Sequence, residues 1–173
     1  MTIEYGHVRV GELAPDFTLP DQHGTPVTLS QLRGENSIVL MFYPFAFTPV
    51  CTVELGSMQD LAGQFADLGA RVLGVSCDTI YTLKAFSESQ GLTKPTLLSD
   101  FWPHGEVSQR YGAFLADKGF ATRATYIIDR SGVVRWKVVT DPMRPRDPSD
   151  YMTALARLRD EGAEDTEGTK DTE

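Results

Sequence analysis

The chain has 173 residues, 41% of them hydrophobic and 23% charged, which is enough to build one globular domain with a sizeable core. Its two cysteines cannot make a disulfide framework, and no cluster of cysteine and histidine has metal-ligand spacing, so we expect neither a metal nor another cofactor. The net charge of −8 argues against nucleic-acid binding, which needs a basic surface.

The negative charge is concentrated at the C-terminal end. Residues 160–173 contain seven acidic side chains and one basic side chain, a net −6 of the total −8. This segment also has too few apolar residues to offset the entropy cost of ordering it. We therefore expect residues 1–159 to form one domain and residues 160–173 to be a disordered acidic tail.

Neither targeting nor membrane insertion is indicated. The first residues contain no apolar run of the length that a signal peptide requires, and no later stretch approaches the roughly 20 apolar residues of a membrane span. We expect a cytoplasmic protein that does not bind membranes.

The first predicted elements are two short strands, at residues 17–19 and 27–29, separated by the turn residues Pro20, Asp21 and Gly24. They are expected to form a small N-terminal hairpin. Residues 30–34 then predict a single helical turn that ends at a glycine.

Two continuous apolar runs follow, at residues 38–43 (IVLMFY) and 71–76 (RVLGVS), and are typical of strands buried on both faces. A helix is expected after each, the second at residues 81–90. Residues 124–128 and 133–139 predict two strands joined by the turn sequence DRSG, and residues 149–160 a final helix.

The order of these elements is βαβα followed by ββα. A buried βαβ unit joined to a β-hairpin implies an α/β fold with a mixed central sheet and helices on both faces. We therefore predict a thioredoxin-like fold with an N-terminal β-hairpin.

The segment between the first buried strand and its helix, PFAFTPVCTVE at residues 44–54, holds the candidate site. Thr48 and Pro49 suit a helix start, with Thr48 as the capping residue and Pro49 at the first helical position. Cys51 then falls in the first turn, where free N–H groups and the helix dipole favour an anion such as a nucleophilic thiolate.

Cys51 shares a helical stripe with other residues and should face inward, the stripe being Leu55, Met58, Ala62 and Phe65. We expect Phe45, Phe47 and Val50 to form a water-excluding wall around its sulfur. Arg123 precedes the 124–128 strand, which a thioredoxin-like sheet brings beside the helix start, so Arg123 is the candidate cation for the thiolate.

These residues resemble the peroxiredoxins. The motif of that family, proline, three residues, threonine or serine, two residues and cysteine, is present as Pro44, Thr48 and Cys51. Further segments that are similar to the family are APDFTLPDQHG, VLGVSCD, PTLLSDFWPHGEVSQRYG and RATYIIDRSGVVR. The resemblance therefore covers nearly all of residues 8–159. SDFWPHG looks most like the AhpE-type one-cysteine group known from actinobacteria.

The resemblance implies a peroxidase that reduces hydrogen peroxide and organic hydroperoxides. Cys51 would attack the O–O bond and become a sulfenic acid, Thr48 would hydrogen-bond the sulfur and the peroxide, Pro44 would shield the sulfur, and Arg123 would hold the thiolate. An external thiol would recycle the sulfenic acid, either a mycothiol and mycoredoxin pair or a thioredoxin-like protein. A homodimer, with larger rings as a further option, is the expected assembly.

Three other residues have open roles. Glu54, one turn after Cys51, is expected either to tune the arginine or only to complement the helix dipole. Cys77 matches no resolving position of the family, and Gly56 stands where one variant has its second cysteine, so we expect no resolving cysteine. His104 could be a base or a pocket residue, but such a histidine more often packs a loop.

Three other functions compete with a peroxidase. A dithiol–disulfide oxidoreductase needs a cysteine three positions after Cys51, where Glu54 stands. A copper-binding assembly protein needs a CxxxC pair, but Leu55 occupies its second position. The principal alternative is a redox-sensing or chaperone-like binding protein that uses Cys51 oxidation as a signal.

Overall fold

A five-stranded mixed sheet forms the centre of the chain. The computed structural model describes residues 7–167. The strands are β1 (Thr18–Pro20), β2 (Pro26–Thr28), β3 (Ser37–Phe42), β4 (Ala70–Ser76), β5 (Thr96–Ser99), β6 (Phe114–Leu115), β7 (Phe120–Ala121), β8 (Arg123–Ile128) and β9 (Val134–Thr140). The helices are α1 (Pro49–Asp60), α2 (Ala62–Asp67), α3 (Ile80–Gln90), α4 (Glu106–Arg110) and α5 (Pro148–Glu167), with a short 3-10 helix at Leu29–Leu32.

The sheet has the order β5-β4-β3-β8-β9, with β3 at its centre. Strand β3 pairs in parallel with β4 and antiparallel with β8, and all six of its residues are buried, as its continuous apolar sequence predicts. Strands β1 and β2 form the separate N-terminal hairpin. The predicted mixed sheet of a thioredoxin-like α/β fold is thus confirmed.

Helices cover both faces of the sheet. On β4, Leu73 and Val75 point into a cluster that includes Val107 of α4 and the N-terminal residues Phe17 and Leu19. The alternate β4 residue Val72 points to the opposite face, where α1, α2 and α5 pack. This second face carries the candidate site, because α1 lies there.

The structure differs from the sequence prediction in several elements. Strand β5, helix α4 and the β6–β7 hairpin were not predicted, since none of these strands and helices is longer than five residues and each gives little periodic signal. The single helix expected after β3 is two helices, because the backbone at Leu61 leaves helical geometry (φ −94°, ψ 4°).

The C-terminal helix is also longer than predicted. Helix α5 continues to Glu167, eight residues into the segment that we expected to be disordered. The three glutamates and the alanine of this stretch favour a helix by their intrinsic propensity. Residues 1–6 and 168–173 lie outside the described part of the chain, so the domain limits 1–159 and 160–173 stay predictions.

No helix among residues 7–167 combines the length and the hydrophobicity needed to cross a bilayer. In the same residues, no group of three or more histidine, cysteine, aspartate or glutamate side chains is placed to hold a metal ion.

Candidate active site

Cys51 lies in the first turn of α1, where the sequence predicts it. The helix begins at Pro49, and the Thr52 N–H donates to the Thr48 carbonyl at 3.0 Å. The N–H groups of Val50 and Cys51 precede this first helical bond, so they give this end of the helix a partial positive charge.

The sulfur is buried on the inner side of α1. Its surroundings are apolar and come from the end of β3, from α1 and from α3. The predicted stripe is confirmed for Leu55, Met58 and Phe65, which are buried, whereas Ala62 is half-buried. The buried cluster around Cys51 consists of Tyr43, Ala46, Leu55, Leu83, Phe86, Leu92 and Leu97.

Arg123 contacts the sulfur directly, with its Nη1 3.1 Å from Cys51 Sγ. It is the first residue of β8, and the next residue, Ala124, pairs with Phe42 at the end of β3. This register brings Arg123 to the point where the chain leaves β3 for the site. Its Nε donates to the Pro142 carbonyl at 2.7 Å, which fixes the plane of the guanidinium.

Glu54 joins this contact from one turn further along α1. Arg123 Nη1, which donates to Cys51, also donates to Glu54 Oε1 at 2.5 Å, and all three side chains are buried. Glu54 therefore pairs with the arginine and does not act only on the helix dipole.

Arg146 completes the ion cluster and was not predicted from sequence. Its Nε and Nη2 donate to the two oxygens of Glu54, each at 2.9 Å, and its backbone N–H donates to Oε2 at 2.9 Å. Its Nη1 also donates to the Phe42 carbonyl at 2.7 Å. Burial opposes the ionisation of Glu54, but the hydrogen bonds and charge of Arg146, with the charge of Arg123, hold the pKa of the carboxyl below its usual value.

Thr48 stands at the N-cap position of α1, but its hydroxyl does not cap the helix. It donates to the Phe45 carbonyl at 2.7 Å, and no hydrogen bond joins it to Cys51 within residues 7–167. The predicted side-chain cap is therefore wrong, because the hydroxyl closes the preceding loop instead.

The expected aromatic wall is only partly present. Pro44 is buried, and Phe45 is half-buried with its ring against Phe120, the centroids 5.2 Å apart. Phe47 points outward: its side chain is 54% exposed and its ring packs on Phe86 of α3. The expectation that Phe47 covers the sulfur is not met, because its backbone turns it away.

Cys77 is separated from Cys51 by the sheet. It follows β4 on the face of Leu73 and Val75, near Ser108 of α4, whereas Cys51 lies on the other face. Burial, and then the charges of Asp100 and Asp78, raises the pKa of the Cys77 thiol to about 12. Both cysteines are free thiols.

His104 links two segments of backbone. Its Nδ1 lies 3.2 Å from the Phe101 carbonyl oxygen and its Nε2 2.7 Å from that of Gly119. Its ring also packs on Phe114, with centroids 5.9 Å apart. These contacts are those of a residue that packs a loop.

A groove of about 580 Å³ lies elsewhere, between α5 and the turn after β8. Asp129, Arg135 and Leu158 are among its lining residues. Strand β8 has Arg123 at its start and this turn at its end. The groove therefore lies at the opposite end of β8 from Cys51.

Residues 10–137 match the model of the AhpC/TSA family. The chain belongs to this family. It is 42% identical to alkyl hydroperoxide reductase E of Mycobacterium tuberculosis over 151 residues, which are 87% of this chain and 98% of the relative. It is also 38% identical to mouse peroxiredoxin-2 over 145 residues, which are 79% of this chain and 72% of the relative.

Solved peroxiredoxin structures have the same fold. A crystal structure of peroxidoxin BcpB from Mycobacterium tuberculosis aligns with a TM-score of 0.75 at 36% identity, covering 88% of this chain and 97% of that one. Reduced 2-Cys peroxiredoxin from Plasmodium vivax aligns with a TM-score of 0.81 at 27% identity, covering 89% of this chain and 83% of that one.

The structure brings two of the predicted residues to the Cys51 sulfur: Arg123 contacts the sulfur, and Glu54 contacts Arg123. Pro44 and Thr48 lie in the segment that joins β3 to α1, ahead of Cys51 in the chain. Sequence reasoning missed Arg146, which reaches the site from the loop after β9. No pattern in the sequence around Arg146 indicates that it is buried at this site.

Proposed function

We propose that this chain is a thiol-dependent peroxidase in which Cys51 is the attacking nucleophile. The observation that carries the proposal is the 3.1 Å contact from Arg123 Nη1 to the buried sulfur at a helix N-terminus. A guanidinium and the positive end of a helix both stabilise a thiolate, and the apolar surroundings strengthen both interactions. Membership of the AhpC/TSA family supports this function over a redox-sensing binding protein.

In the proposed reaction, the Cys51 thiolate attacks the terminal oxygen of the hydroperoxide. An S–O bond forms as the O–O bond breaks, so that the sulfur is oxidised to sulfenic acid and the peroxide is reduced. The departing oxygen leaves as an alkoxide or hydroxide and takes up a proton from solvent to become alcohol or water, which replaces the proton that Cys51 released to solvent when it became a thiolate. Negative charge thus moves from the sulfur to the leaving oxygen, which needs donors at both places.

Arg123 is suited to serve both places. Three of its five hydrogens are used, by Cys51, Glu54 and the Pro142 carbonyl. Its Nη2 donates to no acceptor among the described residues, so we propose that Nη2 binds the peroxide and then the leaving oxygen. Glu54, with Arg146 behind it, holds the guanidinium in this position.

Thr48 and Pro44 are proposed to shape the peroxide site. Because the Thr48 hydroxyl donates its hydrogen to Phe45, its lone pairs remain to accept a hydrogen bond from the peroxide O–H. Pro44 has no N–H group and is buried, so it keeps water away from the sulfur without adding a competing donor.

An external thiol is proposed to recycle the sulfenic acid. Cys77 lies on the other face of the sheet and its pKa of about 12 keeps it a thiol, which supports the absence of an internal resolving cysteine. We propose a mycothiol and mycoredoxin pair or a thioredoxin-like protein as the reductant. A cytoplasmic homodimer is the proposed state, and sedimentation of the reduced protein tests the assembly.

Mass spectrometry after one equivalent of hydroperoxide tests the proposed chemistry. A sulfenic-acid trap should label Cys51 in the wild type and in Cys77→Ser, and should label nothing in Cys51→Ser. A Cys51–Cys77 disulfide would instead make Cys77 the resolver. Labelling of Cys77 with Cys51 unmodified would show that the proposed mechanism is wrong.

A further inference from the structure

The loop that precedes the helix of the site, residues 44–48, contains a strained backbone. Phe47 has a φ of 68°, in the left-handed region that is costly for an aromatic residue. Such a conformation persists only where contacts to other elements hold it. Three contacts to other elements hold the loop. The Phe45 ring packs on Phe120 and the Phe47 ring on Phe86, with centroids 5.2 and 5.1 Å apart, and the Ala46 N–H donates to Asp78 Oδ2 at 2.9 Å.

Asp78 reaches the loop from the end of the neighbouring strand β4. Its Oδ2 accepts a second hydrogen bond from the Ser76 hydroxyl at 2.7 Å, and its backbone carbonyl accepts one from Ser99 Oγ at 2.6 Å. The carboxylate is therefore fixed through Ser76 of β4, and its backbone through Ser99 of β5. This makes it a rigid attachment between the sheet and the loop.

The bond to Asp78 lies at the centre of the loop. Ala46 is two residues from Pro44 and two from Thr48, the residues assigned to the peroxide site. Without this bond, Phe47 can relax to a negative φ, and a change of φ at Phe47 displaces Thr48 relative to the sulfur. The conformation of the peroxide site then depends on a residue that does not touch the peroxide.

We propose that Asp78 is a positioning residue for peroxide reduction, which holds the 44–48 loop through the hydrogen bond from the Ala46 N–H to Oδ2. This inference rests on the proposed function of Cys51. It adds a residue outside the family motif to the set that determines how fast Cys51 reacts.

Two substitutions of Asp78 separate its hydrogen-bonding role from its charge. Both hydrogen bonds end on one oxygen, so the amide oxygen of Asp78→Asn can replace it, whereas Asp78→Ala leaves no acceptor. We expect Asp78→Ala to slow the oxidation of Cys51 by hydrogen peroxide about tenfold, as loss of a hydrogen bond would. Asp78→Asn should stay within about threefold of the wild type.

Hydrogen exchange of the Ala46 amide gives a second readout that needs no peroxide. It should be faster in Asp78→Ala by about tenfold or more and close to the wild type in Asp78→Asn. If Asp78→Ala does not fold, Ser76→Ala replaces it, since it removes the hydroxyl that orients the carboxylate. We expect about a threefold slower oxidation in Ser76→Ala.

Asp100→Ala is the matched control. Asp100 is also a buried carboxylate at a strand end, but it accepts from the backbone of Val107 and Ser108 and from the Ser108 hydroxyl, and so holds α4. It should lower stability without changing Cys51 oxidation or Ala46 exchange.

Three results would overturn the inference. The first is a wild-type rate of Cys51 oxidation in Asp78→Ala, or in Ser76→Ala where that variant replaces it. The others are a rate that is slowed equally in Asp78→Asn and Asp78→Ala, or a rate that is slowed as much in Asp100→Ala as in Asp78→Ala. Wild-type peroxide consumption by Cys51→Ser would instead refute the proposed function. In that case the hydrogen exchange of the Ala46 amide would still show whether Asp78 holds the 44–48 loop.

Discussion

Replacing Glu54 by glutamine should expose how much of the site depends on one buried charge. Glu54 accepts hydrogen bonds from Arg123 and Arg146, and all three side chains are almost completely buried. Glutamine keeps the shape but leaves two buried cations without a counterion. Removing one partner of a buried ion pair typically costs 3–5 kcal/mol, and we expect Glu54→Gln to lower the free energy of unfolding by about 3 kcal/mol at pH 7.

The pH dependence of this loss has a defined sign. The pKa of Glu54 is lower in the folded chain than in the unfolded chain, where it is about 4.3. The stabilisation by its ionised form is therefore complete above that pH and is lost as the pH falls through the folded-state pKa. The difference between Glu54→Gln and the wild type should be largest near neutral pH and should shrink in acid.

Urea unfolding at neutral and acid pH measures both effects, and Glu88→Gln is the matched control. Glu88 is exposed and lies 4.0 Å from Lys84, so its substitution should change stability by less than about 0.5 kcal/mol. A loss in Glu54→Gln as small as that of the control would show that the buried cluster does not stabilise the fold as argued. A loss that grows in acid would show that the sign is wrong.

Substitutions at four further positions test the site and the packing around it. Arg123→Met should slow Cys51 oxidation, measured by stopped-flow kinetics, by about a hundredfold or more. Arg123→Lys should recover only part of the rate, because a lysine ammonium cannot reproduce the several N–H donors of the planar guanidinium. Thr48→Val should slow the same step about tenfold while Thr48→Ser stays near the wild type, which ties the effect to the hydroxyl. Gly105→Ala should lower the unfolding free energy by about 2–4 kcal/mol, because Gly105 has a φ of 66° and a Cβ there would lie 2.3 Å from the Phe114 ring. Gly56→Ala should raise the free energy of unfolding by about 0.5–1 kcal/mol, because Gly56 lies within α1, a Cβ there would meet no other atom within 4 Å, and alanine favours a helix more than glycine does.

The sequence was sufficient to predict residues whose position follows from local rules. Pro49 marks the start of α1, which places Cys51 in its first turn. Arg123 begins a strand that the fold returns beside β3, so its approach to the sulfur followed from topology. Both predictions required only one element boundary and one strand pairing.

Other features depend on contacts between distant segments. Arg146 lies 92 residues after Glu54, in a loop without periodic structure, and nothing in its neighbours indicates burial. The hydroxyl of Thr48 could cap the helix or close the preceding loop, and the residue type does not distinguish the two. The outward turn of Phe47 comes from a left-handed backbone that glycine would signal but phenylalanine does not.

The most direct test of the central claim is the second-order rate constant for hydroperoxide reduction by the reduced protein under single-turnover conditions. Wild type and Cys77→Ser should consume one equivalent of peroxide at similar rates, far faster than a free thiol, and Cys51→Ser should consume none. Loss of the reaction in Cys77→Ser, or its survival in Cys51→Ser, would contradict the assignment of Cys51 as the nucleophile.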